Sequence, residues 1–284
     1  MSTKRLLGVF AHPDDEGLIG GALLKYHELG VETGLVYATK GEVGEASDSV
    51  LAAPLNLGEI HEEEMRAAAD ALHVRNLWFL GYRDSGMPGA EDNHHPQALI
   101  QASPAKVIGN LVGIIRKFRP QVIITFDESG GYGHPDHIAI YKHTIGAFHV
   151  AADDALYPEQ GPAHSAAKLY YTSYSRRQVA MMAEWIQDQA FDNVFKNLDI
   201  EHTGFTEEQI NVLLDVEPWL EGKMHAWYLH HSQVDPVLPI NRLPRHIQRK
   251  WHNREYYQLA TTRVDEDIFG ENDLFARVPE PDDP

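Results

Sequence analysis

The chain opens with Leu6-Leu7-Gly8-Val9-Phe10-Ala11-His12-Pro13-Asp14-Asp15-Glu16, an apolar run that leads into an imidazole and three carboxylates. The run predicts a buried β-strand that ends near His12, because Pro13 lacks the N–H that a sheet ladder requires. A second apolar run, Val122-Ile123-Ile124-Thr125-Phe126, precedes Gly130-Gly131-Tyr132-Gly133-His134-Pro135-Asp136-His137. Packing alone does not explain two strand ends that both carry metal-binding residue types.

Short apolar runs alternate with helical patterns through the first half of the chain. Strands are predicted over 5–10, 32–38, 76–80, 121–126 and 168–174, and helices over 17–29, 57–73 and 104–118. This alternation predicts an α/β fold, a Rossmann-like, mostly parallel sheet with helices on both faces. In the strand order 3-2-1-4-5, strands one and four are neighbours where the winding reverses. We therefore expect the two polar loops to meet in one crevice.

The periodicity weakens after residue 150. Helices are predicted over 176–190, 206–214 and 217–231, and a strand over 255–263. Since there is no repeat or low-complexity linker, we expect one domain over 1–284, with a Rossmann-like core (1–175), a C-terminal elaboration (176–263) and an acidic tail (264–284). Residues 265–284 contain eight acidic residues and one basic residue, a composition typical of a solvated or partly disordered segment.

The composition limits the partners and the location of the protein. There are 24 basic and 42 acidic residues, and the net charge of -18 disfavours nucleic acid and anionic membranes as partners. No apolar stretch approaches the roughly 20 residues of a bilayer span, and no signal-peptide pattern precedes the first strand. A cytoplasmic location is expected, and homo-oligomerisation is left open.

The two polar loops suggest a metal site. Because the chain has no cysteine, any metal must be held by His, Asp or Glu. Two histidines and one aspartate would leave room for water, as in catalytic zinc sites, and the same donors suit iron(II). A bound metal lowers the pKa of water to roughly 7, and a neighbouring carboxylate then takes the proton. The alternative interpretation is that the acids of the first loop only cap the following helix.

Ala11–Glu16 and His134–His137 resemble the two signatures of the LmbE/PIG-L-like metal-dependent deacetylases. These enzymes hydrolyse the N-acetyl group of small molecules that contain N-acetylglucosamine. The resemblance covers about residues 4–175, and it implies a small-molecule amino-sugar substrate and bound zinc, with iron(II) as the alternative. The implied roles are metal binding by His12, Asp15 and His137, general base catalysis by Asp14, oxyanion stabilisation by a cationic His134, and carbonyl polarisation by Tyr132.

The sugar-binding residues are implied by the mycothiol-pathway branch of that family, which residues 81–87 and 130–137 resemble most. Arg66 and Asp84 match positions that bind sugar hydroxyls there, although a solvated helix face and a turn would also explain them. The implied reaction releases acetate and a free amine, and either Asp14 or His134 protonates the leaving nitrogen. Residues 223–226 and His231–Gln233 resemble a recurring late motif of the family, and this segment is expected to close over the substrate, with His230 on a helix surface.

Three alternatives remain at this point. An amidase that cuts S-conjugates of an amino-sugar thiol would use the same metal chemistry. A nucleotide-binding oxidoreductase would share the β/α alternation, but Gly-x-Gly-x-x-Gly is missing after the first strand, where three carboxylates would repel a pyrophosphate. A non-catalytic metal-binding protein would share the ligands. His94 and His95 have a metal-like composition, but they lie in an irregular loop and are not expected to form a site.

Overall fold

Seven strands form one sheet in the computed structural model, which describes residues 3–44, 57–187, 199, 201–234, 244–264 and 271–280. The strands are β1 (Arg5–Phe10), β2 (Glu32–Tyr37), β3 (Asn76–Phe79), β4 (Val122–Phe126), β5 (Lys168–Ser173), β6 (Val212–Asp215) and β7 (Arg254–Thr262). Their order is β3-β2-β1-β4-β5-β7-β6, in which the first five run parallel and β7 and β6 pair antiparallel. The predicted α/β class and the order 3-2-1-4-5 are confirmed, and β1 and β4 are neighbours.

The helices form two packed groups. They are α1 (Gly20–Glu28), α2 (Leu57–Ala71), α3 (Pro104–Phe118), α4 (Gly130–Gly133), α5 (Pro135–Val150), α6 (Arg176–Gln187), α7 (Leu220–Trp227) and α8 (Arg245–His252). Helix α3 packs against α5, and α1 and α2 pack against α7. Proline occupies the first turn of α3, and Arg119 ends it in the left-handed conformation, so its bounds match the prediction. Among the described helices, none has the length and hydropathy of a bilayer span.

The predicted helix over 206–214 is wrong. A single turn of 3-10 helix, Glu207–Gln209, is followed by β6, the edge strand beside β7. Val212 and Leu214 are buried, whereas Leu213 and Asp215 are exposed. This alternation is the period of a strand with one buried face, and four residues are too few to distinguish it from a helical pattern in the sequence.

The C-terminal segment 271–280 is packed rather than solvated, which corrects the expectation of an acidic, solvated tail. Leu274, Phe275 and Val278 are buried in the main core. The Tyr26 hydroxyl donates to Asp273 at 2.8 Å, which ties the segment to α1. The acidic composition of residues 265–284 was the basis of the expectation, and it does not reveal these three apolar positions. Residues 265–270 and 281–284, also part of that prediction, lie outside the described residues.

Glu255 on β7 connects the C-terminal strands to the start of α1. Its carboxylate accepts the backbone N–H groups of Gly21 and Ala22 at 2.7 and 2.9 Å. It also accepts the Tyr257 hydroxyl at 2.8 Å and pairs with the buried Lys223 ammonium at 2.7 Å. A carboxylate at a helix N-terminus is stabilised by the free N–H groups there. The start of α1, Tyr257 and Lys223 therefore all depend on the Glu255 carboxylate as their buried partner.

We expect Glu255→Ala to lower the free energy of unfolding by about 3–5 kcal/mol, because it leaves Lys223 buried without its counter-ion. Urea denaturation followed by circular dichroism measures this change. Arg249→Ala, which removes exposed ion pairs with Glu217 and Glu221, is the control and should change the midpoint little. Equal midpoints for the two variants would contradict the structural role of Glu255.

His164 is a buried histidine far from the polar loops. Its Nε2–H donates to the carbonyl of Pro120 at 2.7 Å, and its backbone N–H donates to Ala151 at 2.9 Å. Burial, opposed only in part by the Pro120 carbonyl, lowers the pKa of His164 to about 4. The imidazole is therefore neutral in the folded protein at neutral pH.

We expect His164 to make folding pH-dependent. Its pKa is lower in the folded state than the unfolded value of about 6.5, so its contribution is complete above pH 6.5 and is lost as the pH falls toward 4. The loss amounts to roughly 3 kcal/mol. Urea unfolding of wild type and His164→Gln at pH 7 and pH 5 tests this, since glutamine retains the donor but does not titrate. An identical pH dependence for both proteins would refute the assignment.

Candidate metal centre and adjoining cavity

His12, Asp15 and His137 converge where β1 and β4 end. The Nδ1 atom of His12 lies 3.1 Å from Nε2 of His137. The carboxylate of Asp15 places Oδ2 at 3.8 Å from His12 Nδ1 and Oδ1 at 3.4 Å from His137 Nε2. Two nitrogens bound to one tetrahedral zinc at 2.0–2.1 Å lie about 3.3 Å apart. The two imidazole nitrogens therefore have the spacing that a single small divalent cation requires, and Asp15 brings a carboxylate oxygen close to each of them.

Outer hydrogen bonds orient the two imidazoles. His137 Nδ1 lies 3.0 Å from the Gly130 carbonyl, which only accepts, so the hydrogen is on Nδ1 and the lone pair on Nε2 faces the site. His12 Nε2 lies 3.3 Å from Asp136 and 3.6 Å from Asp84, so its hydrogen faces these carboxylates and its Nδ1 lone pair faces His137. Metal-binding histidines are usually held in this way. This donor arrangement fits a metal ion.

Asp14 adopts an unusual backbone conformation beside the metal-ligand candidates. Its φ of 96° is positive, which costs energy for a residue with a side chain. The carboxylate of Glu16 accepts the Asp14 N–H at 3.0 Å and the Tyr37 hydroxyl at 2.7 Å. Burial, and then the neighbouring charge of Asp15, raise the pKa of Asp14 well above its ordinary value. A carboxylate with a raised pKa is a better proton acceptor at neutral pH.

His230 reaches this loop from the distant C-terminal half, and its expected place on a helix surface is wrong. It is completely buried, and its Nε2 lies 2.6 Å from a Glu16 oxygen. Burial alone lowers the pKa of His230, but the Glu16 carboxylate outweighs it and raises the pKa to about 8. The pair is therefore an ion pair at neutral pH, and it fixes the carboxylate that holds Asp14.

The second loop is shaped by Asp127 and by glycines. Asp127 Oδ1 accepts the N–H groups of Ser129 and Gly131, each at 3.0 Å. Gly130 has a φ of 63°, and a Cβ there would lie 2.7 Å from the Cβ of His137. Glycine is thus required both by the backbone conformation and by the close approach of His137.

His134 caps helix α5, and its ring lies 4.6 Å from that of His12. Its Nδ1 accepts the N–H of Asp136 at 3.2 Å, so the ring hydrogen is on Nε2. Burial, and then the charge of His12, lower the pKa of His134 to about 4. Burial therefore favours the neutral ring, and the cationic role expected from the sequence stays a prediction.

The remaining predicted residues are at different distances from the centre. Tyr132 is 37% exposed, and its ring lies 5.1 Å from that of His137. Asp84 is buried; it accepts the Gly86 N–H at 2.8 Å and lies beside His12. The Arg66 side chain is 57% exposed on α2 and pairs with Glu62. His12, Asp14, Asp15, Tyr132, Asp84, His134 and His137 are thus brought together, while Arg66 lies on the helix surface.

A cavity of about 320 Å³ opens directly beside these residues, within the usual size range of ligand pockets. Asp14, Asp15, Tyr132 and His137 line one side of it. Helices α6, α7 and α8 form a second wall that includes Val179, Met182, Ala183, Trp227, Trp251 and His252. The C-terminal part of the chain therefore completes the cavity beside the candidate metal ligands.

Several residues of this site were not selected from the sequence. Asp136 is one of them, although it lies inside the second motif. Its place in the first turn of α5 beside His137 was the signal that could have identified it. Trp251 lies in a segment with no motif of its own, and Trp227 directly follows the late motif over residues 223–226 without being part of it. Only the fold brings them to the cavity.

Comparisons with known proteins agree with this geometry. Residues 7–148 match the family described as PIG-L, GlcNAc-PI de-N-acetylase. A 1D-myo-inositol 2-acetamido-2-deoxy-alpha-D-glucopyranoside deacetylase from Geodermatophilus obscurus is 34% identical over 98% of this chain and 99% of its own length. A mycothiol S-conjugate amidase from Streptomyces coelicolor is 34% identical over 96% and 97%. The N,N'-diacetylchitobiose deacetylase structure from Pyrococcus horikoshii superposes with a TM-score of 0.64 at 20% identity, covering 91% of this chain and 84% of its own.

Proposed function

Because the chain belongs to the PIG-L (LmbE-like) family, we propose that it hydrolyses the N-acetyl group of a small molecule that contains N-acetylglucosamine. The products are acetate and a free amino sugar. The observation that carries the proposal is the approach of His12 Nδ1 to His137 Nε2 at 3.1 Å, with a carboxylate oxygen of Asp15 3.4 Å from the latter and Asp14 beside them. Family relatives named as deacetylases along most of this chain support the same reaction.

His12, Asp15 and His137 would hold the metal ion, which we propose to be zinc, with iron(II) suited to the same donors. When bound, such an ion lowers the pKa of water and polarises a carbonyl group. Asp136 and Asp84 keep the hydrogen of His12 on Nε2, so that Nδ1 stays available as a ligand.

Asp14 accepts the proton of the attacking water. Its burial and its neighbour Asp15 favour the protonated form, so it also suits the return of that proton to the leaving nitrogen. His134 donates its Nε2–H to the oxygen of the tetrahedral intermediate, and the Tyr132 hydroxyl donates to the same oxygen. Since the Nδ1 atom of His134 is occupied by the Asp136 N–H, we assign both proton transfers to Asp14.

Of the two predicted sugar contacts, we propose that Arg66 binds a hydroxyl of the substrate. Its guanidinium is exposed, and its partner Glu62 lies on the same helix. Asp84 is buried with its carboxylate directed at the Gly86 N–H and His12. We therefore propose that Asp84 acts by positioning His12.

The second candidate function is cleavage of the amide in an S-conjugate of an amino-sugar thiol. It is favoured by the relative from Streptomyces coelicolor, which matches along nearly the whole chain. The metal-ligand candidates and the base would be the same. An oxidoreductase is disfavoured, because Asp14, Asp15 and Glu16 stand where a dinucleotide pyrophosphate would bind.

Acetate release tests the proposal. The purified protein, reconstituted separately with zinc and iron(II), is incubated with N-acetylglucosamine, its inositol conjugate and a thiol S-conjugate. We expect acetate from the first two substrates and its loss after chelation of the metal. Cleavage of the S-conjugate alone would support the amidase instead. No product from any substrate by the metal-loaded protein would refute both.

A further inference from the structure

The cavity wall formed by α6, α7 and α8 points to a substrate class. We infer that the substrate carries an apolar alkyl or aryl group, and that this group occupies the chamber lined by α6, α7 and α8. The inference rests on the proposed amide hydrolysis and names the part of the substrate that the relatives' names leave open. Tyr132 and His137 line the same cavity, so a group in the chamber is continuous with the reacting amide.

Helix α6 presents a stripe of small apolar side chains to the chamber. Val179, Met182 and Ala183 line it, at positions that fall on one face of a helix. Met182 packs against Trp251, whose indole continues the wall from α8. The side chains of this stripe offer no hydrogen bond, so a hydroxyl group placed against them would lose its water without a replacement. An alkyl or aryl group gains by leaving water there.

Three polar side chains of the lining, Lys223, Glu255 and Gln178, are already paired. Lys223 and Glu255 pair with each other at 2.7 Å. Gln178 donates to the Trp251 carbonyl at 2.7 Å and accepts the Ser175 N–H at 3.0 Å. These groups are therefore not available to the several hydroxyls of a cyclic polyol.

Three lining residues each retain one buried polar atom without a partner among the described residues. They are Ser173 Oγ, Trp227 Nε1 and His252 Nε2. The rings of Trp227 and His252 lie 6.3 Å apart, so two of these atoms belong to one part of the wall. The indole N–H only donates, so it requires an oxygen acceptor. We infer that the apolar group is joined to, or carries, one acceptor oxygen.

Two arrangements place an apolar group in the chamber. In the first, the group belongs to the acyl part of the amide, and in the second it belongs to the aglycone of the sugar. N-hexanoylglucosamine represents the first source, and the hexyl glycoside of N-acetylglucosamine represents the second. N-acetylglucosamine itself is the reference for both.

The experiment compares kcat/KM for the three substrates in wild type, Ala183→Phe and the matched control Ala180→Phe. Ala183 lines the chamber, whereas Ala180 is exposed on the same helix. We expect one hexyl substrate to exceed the reference at least tenfold in wild type, as one or a few methylenes in an apolar pocket do. Ala183→Phe should abolish that advantage, since the phenyl ring fills the chamber. Ala180→Phe should behave as wild type, and thermal unfolding checks that both variants fold.

Binding of hexyl glucoside, which has no amide, gives a second measurement that does not depend on catalysis. Trp227 and Trp251 report it through their fluorescence, with myo-inositol as the polar comparison. Trp227→Phe keeps an aromatic ring and removes the N–H, and it should weaken binding of hexyl glucoside roughly threefold to tenfold. Saturable hexyl glucoside binding that Ala183→Phe removes supports the inference even if no amide is cleaved, in which case only the proposed function fails.

Hydrolysis of all three amides at equal rates, together with no hexyl glucoside binding, would overturn the inference and leave the proposed function intact. Tighter binding of myo-inositol than of hexyl glucoside would also overturn it, because it would show that the chamber accepts a polyol.

Discussion

Replacement of Asp14 with asparagine is expected to lower kcat by roughly 10²–10⁴-fold while the metal content stays unchanged. Asparagine retains the shape of the side chain but cannot accept a proton from water. Asn tolerates a positive φ at least as well as Asp, so the backbone conformation at φ 96° is preserved. The loss should therefore appear in the chemical step, and KM should change little.

The measurement combines steady-state acetate release with elemental analysis of the purified variant. Asp70→Asn, an exposed change of the same type on α2, is the matched control and should retain wild-type kcat. A wild-type rate in Asp14→Asn would show that another group accepts the proton. Loss of metal in this variant would show that Asp14 is a ligand rather than the base.

Replacement of His137 with alanine is expected to remove the metal ion and, with it, nearly all activity. The side chain supplies one of three donors, and its Nε2 lies within 3.4 Å of both other candidate ligands. Loss of a direct donor should weaken metal binding by more than the roughly 10- to 100-fold that loss of an outer hydrogen-bonding partner costs. Zinc should also stop raising the melting temperature, because ligand binding stabilises only a protein that binds it.

Elemental analysis and zinc-dependent thermal shifts measure this effect directly. His143→Ala, two turns further along the same helix, is the control and should bind zinc as wild type does. His137 also stacks on Phe126 with ring centroids 4.0 Å apart, so the melting temperature without metal must be recorded for the variant. Full zinc occupancy in His137→Ala would exclude the proposed ligand set.

The core of the fold could be predicted because its signals are local. The apolar run of β1 ends at Pro13, and α3 begins at Pro104 and ends before Pro120, so these boundaries depend on neighbouring residues alone. The convergence of His12 and His137 followed from the strand order, since β1 and β4 are adjacent in a doubly wound sheet. The two polar loops that follow β1 and β4 were therefore predicted to lie in one crevice.

The parts that the sequence did not reveal depend on distant partners. His230 reads as a surface residue until Glu16, 214 positions away, is placed against it. The packing of residues 271–280 depends on apolar side chains hidden in an acidic composition. The lowered pKa of His134 depends on burial beside His12. None of these is visible in local periodicity.

The ion pair between Glu16 and His230 limits how the molecule could be re-engineered. A chimaera that exchanged the C-terminal half for that of a relative, in order to change substrate preference, would leave the Glu16 carboxylate buried without a cation unless a histidine were kept at position 230. The backbone at Asp14 would then lose its support, and we expect the hybrid to be inactive although every proposed metal ligand and the proposed base were present. In this chain, the C-terminal half therefore cannot be exchanged to change the substrate range without affecting activity as well.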